Sequence, residues 1–339
     1  MRSLVIGDLH FGIKGNSLFW LESQLNFVRD QIITTIRDNN IERIIFLGDL
    51  HDIRYSLNQE IGIELQQILR EMFIMFPEKK FVFIAGNHDY YSPLEEFAKY
   101  NIYNLSFPSE LREKYNNILV VDQCPVLDKD GSLYLPWYYT ESSDHFDELL
   151  YNYNFYEDVK TIYCHADLGT WPGARIGALK GCPVYSGHIH QYHYDDVANL
   201  YQLGAALSLT FSDVNEDKYL YIVEDHKIVD KIKNITTPKF IRIYNEEIFD
   251  INDELFRNSY IQLCIDKNNV LKAKYVDQIK YIKTTYVDAN IRVHVIDSET
   301  DLSTLNVDGF NTNIETYIED NIPEHLDEKY NKIKNKINN

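Results

Sequence analysis

The chain lacks the cysteine pattern of a disulfide scaffold or a zinc ribbon. Its four cysteines, Cys124, Cys164, Cys182 and Cys264, are scattered, with no CxxC pair. They read as reduced, partly buried thiols of a cytosolic protein. Long apolar runs are missing as well. No stretch approaches the ~20 residues of a membrane-spanning helix, and Asp8 interrupts Leu4-Val5-Ile6 far short of a hydrophobic leader. The expectation is a cytoplasmic protein with no membrane partner. Positive charge is also scarce: 33 Lys and Arg stand against 52 Asp and Glu, a net charge of −19. A chain this acidic is repelled by polyanions, which counts against an autonomous, tight DNA binder but not against a nuclease subunit. Nucleic acid stays accessible only if bound cations, a partner or locally clustered basic residues supply the attraction.

What is present is an ordinary globular composition, 45 % hydrophobic and 25 % charged over 339 residues, enough for two domains and a terminal appendage. The first two-thirds alternates strands with amphipathic helices. Strands are expected at Leu4–Gly7, Arg43–Gly48, Phe81–Gly86, Ile118–Val121, Leu133–Leu135, Thr161–Cys164, Val184–Gly187, Leu200–Leu203 and Tyr219–Val223. Leu21, Leu25, Val28, Ile32 and Ile36 recur at helical spacing, as do Leu57, Ile61, Leu65, Ile68, Leu69 and Met72. Both stripes read as core faces, the second with a dimer contact as its alternative. The pattern predicts an α/β (α+β) fold, a two-sheet sandwich flanked by helices. Thr236-Thr237-Pro238 marks a boundary. Beyond it, strands at Phe240–Tyr244, Tyr260–Ile265 and Ile291–Ile296 surround a helix near Val270–Ile279, a small α+β domain. From Phe310 onward, helical stripes break at Pro323, and the last carries Lys329, Lys332, Lys334 and Lys336. That end reads either as a solvated helix or as a docking helix for a partner.

Five short motifs follow one another, each at the end of an expected strand: Gly7-Asp8-Leu9-His10, Gly48-Asp49-Leu50-His51-Asp52, Gly86-Asn87-His88-Asp89, His165 with Asp167, and Gly187-His188-Ile189-His190. One such motif means little, since glycine and polar residues end many strands; five in order point to a site. Asp8 and His10 are two apart and project from one side of an extended segment, as do His188 and His190. A carboxylate can bridge two cations while imidazoles and an amide oxygen fill the other positions. This mixed N/O set, without thiolates, suits Mn2+, Fe2+ or Zn2+ better than Ca2+ or a structural zinc. Two ions about 3.5–4 Å apart clamp a phosphate and activate water.

These motifs resemble those of the calcineurin-like metallophosphoesterase superfamily, and within it the DNA-repair nucleases of the SbcD and Mre-eleven type, including the small subunits of T-even phage recombination endonucleases. Asp8-Leu9-His10-Phe11-Gly12 is close to that family's opening motif. Gly204-Ala205-Ala206-Leu207-Ser208-Leu209-Thr210, then an acidic segment and Pro238-Lys239-Phe240, resembles the run after its last histidines. Beyond about residue 240 the resemblance rests on layout. It implies a metallophosphoesterase (nuclease) domain over 1–236, a capping domain over 237–305 and a helical partner-binding tail over 306–339. It further implies that Asp8, His10 and His190 hold one metal, that Asn87, His165 and His188 hold the other, and that Asp49 bridges them. His88 would steady the phosphate and protonate the leaving oxygen. The cofactors implied are two divalent ions, Mn2+ first, with Mg2+, Fe2+ and Zn2+ as alternatives. The function implied is a two-metal DNA exonuclease and endonuclease subunit of a recombination-repair complex, acting on duplex ends and single strands by metal-activated water. An SbcC-like ABC-type coiled-coil ATPase would be its partner, and a homodimer would form through helices around 57–76 and 93–101. The competing reading is a phosphodiesterase or phosphatase for small molecules, which uses the same site.

Departures from the resemblance fall at His51, where relatives often have an aromatic, at Asp52, where a few have histidine, and at Cys164, often a glycine. Asp89 and Asp167 read either as carboxylates that orient imidazoles or as turn and helix caps. Arg54, Tyr90 and Tyr91 lie beside motifs, but among 26 tyrosines chance placement is the plainer reading. His145, His193, His226, His294 and His325 read as ordinary surface or core histidines.

Overall fold

The structure, a computed structural model, describes residues 1–52, 58–90, 114–137, 158–169, 181–214, 216–250, 256, 259–286 and 289–296. The expected tail helices, the whole of the 93–101 segment expected to share a dimer contact with 57–76, Arg54, Tyr91, His145 and His325 lie outside the described residues.

The chain divides into two compact units, one comprising Met1–Ile241 with Asn258–Tyr260, the other Arg242–Arg257 with Ile261–Asn339. In the first unit, β1 (Arg2–Ile6), β2 (Arg43–Phe46), β3 (Lys80–Ile84) and β4 (Ile118–Val121) run parallel. A second sheet holds β5 (Val126–Leu127), β6 (Ser132–Leu135), β7 (Thr161–His165), β8 (Val184–Gly187), β9 (His193–Asp195) and β10 (Leu200–Gln202). With β11 (Tyr219–Glu224) and β12 (Lys227–Lys233), the sheet orders are β12-β11-β1-β2-β3-β4 and β5-β6-β7-β8-β10-β9. The two-sheet sandwich expected from the pattern is therefore present. The short β5 and β9 and the edge strand β12 had no expectation, because two or three residues, or an exposed edge, leave no buried alternation to read.

The parallel strands are buried on both faces, which is why they read as continuous apolar runs. Val5, Ile45, Val82, Ile84 and Tyr221 of the first sheet pack in one cluster with Tyr134, Tyr163 and Tyr185 of the second. Leu4, Ile6, Ile44, Phe46, Phe81 and Phe83 face the helices. Leu133, Leu135, Ile162 and Val184 form the outer core of the second sheet. In that sheet Tyr134, Tyr163, Tyr185, Tyr201 and Tyr194 sit side by side in register. Their ring centroids are 5.7, 5.5, 4.9 and 4.3 Å apart, so packing accounts for part of the tyrosine content.

The first helical stripe forms Leu18–Asn26 and Ile33–Asp38, joined by one π-helical stretch at Phe27–Ile32. The second forms Gln59–Met75, capped by the Asn58 side chain accepting from the Glu60 N–H. Both bury the expected residues; Leu57 of the second stripe lies outside the described residues.

The second unit carries most of a three-stranded sheet, β13 (Phe240–Tyr244), β14 (Tyr260–Asp266) and β15 (Asn290–Ile296), and a helix over Ala273–Thr285 that buries Tyr275 and Ile282. This helix starts later than the periodicity suggested. Asp266 accepts from the Asn268, Asn269 and Val270 backbone N–H groups, which holds that stretch as a turn. No helix among the described residues is long and apolar enough to cross a membrane.

Candidate metal centre

Every motif lies at or just past the carboxyl end of a parallel strand, the edge where α/β proteins gather their sites. The chain must turn sharply there, and three polar residues do so in the left-handed region: His10 at φ 48°, Asp49 at φ 48° and His188 at φ 84°. Such non-glycine conformations are uncommon and collect at functional sites. The glycines beside them leave room for close approach. Gly48 has φ 114°, and a Cβ on it would strike His165 Nδ1; a Cβ on Gly187 would strike Asp8 Oδ1. The motif glycines thus form a cradle that only their missing side chains allow.

Into this cradle the two sheets deliver eight side chains. His10 Nε2 lies 3.2 Å from His190 Nε2 and 3.6 Å from Asp49 Oδ2. Asp8 Oδ2 is 3.9 Å from His190 Nε2, and Asp8 Oδ1 is 3.8 Å from His165 Nδ1. His165 Nε2 is 3.4 Å from Asp49 Oδ1 and 2.8 Å from Asn87 Oδ1, which is itself 3.0 Å from His188 Nδ1. Three sets of donor atoms each fall within 4.8 Å of one another: Asp8, His10 and His190; Asp8, Asp49 and His165; and His10, Asp52 and His88. Asp49 presents one oxygen to His10 and the other to His165, so it stands between the two ends of the group. His165 Nδ1 is 2.9 Å from the Leu47 carbonyl. A carbonyl only accepts, so Nδ1 carries the hydrogen and Nε2 is turned to Asn87 and Asp49.

The electrostatics are those of a group waiting for cations. Burial pushes the Asp8 carboxyl up to about 7, against the pull of His165. Burial alone would raise Asp49 too, yet His165, His10 and His88 hold it well below the carboxylate range. Burial opposes charge on His165, but Asp49 and Asp8 push it up to about 9. His10 is raised in the same way, against burial, by Asp52, Asp49 and Asp8. Burial, with His165, pushes His188 down to about 4; burial, with His10, does the same to His190. A divalent ion would displace the protons held by Asp8 and His165 and find His188 and His190 already neutral. With no thiolate in the set, oxygen and imidazole donors suit a dinuclear metal site.

Some neighbours were not expected. Asp52 Oδ1 lies 3.1 Å from His10 Nδ1, and the Asp52 carbonyl accepts from His88 Nδ1 at 2.5 Å. Its place three residues after Asp49 was a signal available in the sequence. Gln24, on the first helix, donates to the carbonyls of Leu9 at 2.5 Å and His10 at 3.0 Å, supporting the strained turn; no motif announces it. Asp89 does not orient a site imidazole. It accepts from the backbone N–H groups of Gly86 at 2.9 Å, His51 at 3.3 Å and Leu50 at 3.4 Å, tying the second motif to the third. His51 turns toward Asp89 at 3.4 Å, away from the donor group. Asp167 accepts from the Gly169 N–H at 2.9 Å, as a turn residue does, and its charge also acts on the His188 imidazole. Tyr90 is core, its hydroxyl donating to the Asp122 carbonyl at 2.9 Å. His226 bonds Thr161 at 2.6 Å; His193 is exposed on β9 and His294 partly buried on β15.

The calcineurin-like phosphoesterase family matches residues 1–192, a span that contains all eight side chains. Exonuclease subunit 1 of Enterobacteria phage T4 is 26 % identical over 243 residues, covering 66 % of this chain and 65 % of the phage protein. The chain thus spans just under two-thirds of that relative's length. One solved crystal structure aligns with 68 % of this chain and 98 % of its own at a TM-score of 0.38 and 11 % identity.

Proposed function

The chain belongs to the calcineurin-like phosphoesterase family, and from that premise we propose that it is the nuclease subunit of a recombination-repair complex, a two-metal hydrolase of DNA phosphodiester bonds. The observation that carries this reading is the placement of Asp49 between two sets of donors. In this proposal Asp8, His10 and His190 hold one ion, Asn87, His165 and His188 hold the other, and Asp49 bridges them. Mn2+ is the ion proposed. When bound, such a pair supplies Lewis acidity, which activates water and offsets the charge that builds on phosphate oxygens.

The remaining work falls to the chain. His88 donates its Nδ1 hydrogen to the Asp52 carbonyl, which orients the ring and leaves Nε2 to carry a second proton. That proton goes to the leaving oxygen of the phosphodiester, and the imidazolium charge steadies the phosphate before it departs. The His88 backbone N–H donates to Asp49 Oδ1 at 2.8 Å, so proton donor and bridging carboxylate hold one geometry.

DNA as substrate is supported by the phage exonuclease subunit that the chain resembles. The net charge of −19 supports a division of labour in which an SbcC-like ATPase carries much of the DNA binding, attached through the tail at 306–339. The division into 1–236, 237–305 and 306–339 and a host-cell or cellular cytoplasmic location belong to the same proposal. The acidity also favours a second reading, a phosphodiesterase for small esters. The test is cleavage of linear duplex and single-stranded DNA by the purified chain in Mn2+, beside its His88→Ala variant and a chromogenic phosphodiester. Metal-dependent DNA cutting that disappears in the variant is the expected result. Turnover of the small ester alone, even with the ATPase added, moves the function to the second reading.

A further inference from the structure

The acidic segment after Thr210 has a place in the centre that the ligand set leaves unexplained. Lys218 at its end is buried, its side chain 4 % exposed. An ammonium has three N–H donors, and here each has an acceptor: the His190 carbonyl at 2.7 Å, Asp213 Oδ1 at 2.9 Å and Glu216 Oε2 at 2.8 Å. Both carboxylates reach further. Asp213, fully buried, accepts from the Leu209 and Thr210 backbone N–H groups at 2.8 and 2.9 Å through Oδ2. Glu216 accepts from the Tyr192 N–H at 2.8 Å through Oε1. Lys218 and Glu216 therefore pin the backbone on both sides of Gln191: the carbonyl of His190 and the N–H of Tyr192.

His190 is a half-buried donor that gains from such support. Its side chain is 29 % exposed, whereas Asp8 and His165 are fully buried. Packing fixes those two; His190 leans on its backbone. The Ala205 N–H also donates to the His190 carbonyl at 3.1 Å and the Ala206 N–H to the Asp8 carbonyl at 3.3 Å, so the loop that leads into the acidic segment touches two ligands assigned to the same ion. Groups behind a ligand tune affinity as the ligand itself does.

We infer that Lys218, with Glu216 and Asp213, is a positioning device for His190, and so governs the affinity of one of the two ions while leaving the other alone. The inference rests on the ligand assignment above. Its test is Mn2+ binding by calorimetry and electron paramagnetic resonance on the full chain. Lys218→Met should weaken one ion about 10–100-fold and leave the other unchanged, with the spin-coupled pair signal replaced by that of a single ion. Lys218→Arg should restore the pair in part, because it keeps a charged donor toward the carbonyl. Equal weakening of both ions, or none, in a folded Lys218→Met chain overturns the inference. Should Lys218→Met leave Asp213 so poorly compensated that the chain does not fold, Glu216→Ala decides. A smaller loss at the same ion supports the inference, and unchanged binding overturns it. A wild-type chain that binds fewer than two ions overturns the ligand assignment itself, and the inference with it.

Discussion

Two charge clusters, one built around a buried Arg43 and one around buried Asp8 and Asp49, sit at opposite ends of the same strands and balance their charge differently. Where β2 begins, Arg43 is 2 % exposed. Its Nε donates to Ser3 Oγ at 2.9 Å and its guanidinium to Asp130 at 3.0 Å and Tyr134 at 2.8 Å, while Lys80 pairs with Asp128 at 2.5 Å. Where β2 ends, the ionisable partners of Asp49 and Asp8 are imidazoles, joined by the backbone N–H groups of His88 and His188. The first cluster has permanent cations matched to its carboxylates, so it is closed to ligands. The second balances its carboxylates with groups that can give up their protons. The first cluster is the less buried, its Asp128 and Asp130 being 17 % and 24 % exposed against 0 % and 2 % for Asp8 and Asp49; the difference that matters for ligands is whether the positive charge is built into the chain.

The sharpest break of this contrast is Asp49→Ala. Removing the carboxylate between the two donor sets should eliminate detectable turnover and most bound metal, read by activity and elemental analysis. Retention of two ions would remove Asp49 from the bridging role. His88→Ala or His88→Asn should lower turnover about 10²–10⁴-fold while metal content stays near wild type. Equal metal loss in the Asp49 and His88 variants would end the division between ligand and proton donor. Arg43→Met tests the other end. It should cost about 3 kcal/mol of stability in chemical denaturation, with metal stoichiometry and turnover per folded molecule unchanged. Loss of metal there would show that the two clusters are not separate.

The mildest effect is the pH dependence of metal binding. Asp8 at about 7 and His165 at about 9 are both raised above their ordinary values, so each holds a proton below those points that an entering ion must displace. Affinity should therefore rise between pH 6 and 9 by about tenfold per unit for each proton released. His188 and His190, pushed down to about 4, are already neutral there and add nothing. Calorimetry in buffers of different ionisation enthalpy counts the protons. A flat profile would place fixed positive charge at this end also.

Much of this was legible in the sequence because it is written locally. Apolar runs of four or five residues predicted the buried parallel strands, and glycine followed by a polar residue marked their ends. The structure brings together at one edge all eight side chains singled out there. The helix at Ala273–Thr285 was placed too early because periodicity cannot see Asp266 holding the preceding residues in a turn. Asp89 could be read as a partner for imidazoles or as a cap. Its true partners are backbone N–H groups of two different motifs, and those meet only when β2 and β3 pair.

The sequence by itself determined the chemistry of the donors, their order along the chain and their positions at strand ends, since residue type and period are local properties. Tertiary structure alone decided what lies behind them. It put Gln24 under His10, Asp52 between His10 and His88, and Lys218 against the His190 carbonyl. It also turned His51 aside and held His10, Asp49 and His188 in left-handed conformations. Most of these contacts join residues far apart in sequence. Their geometry exists only once two sheets have packed face to face, and no local pattern records it.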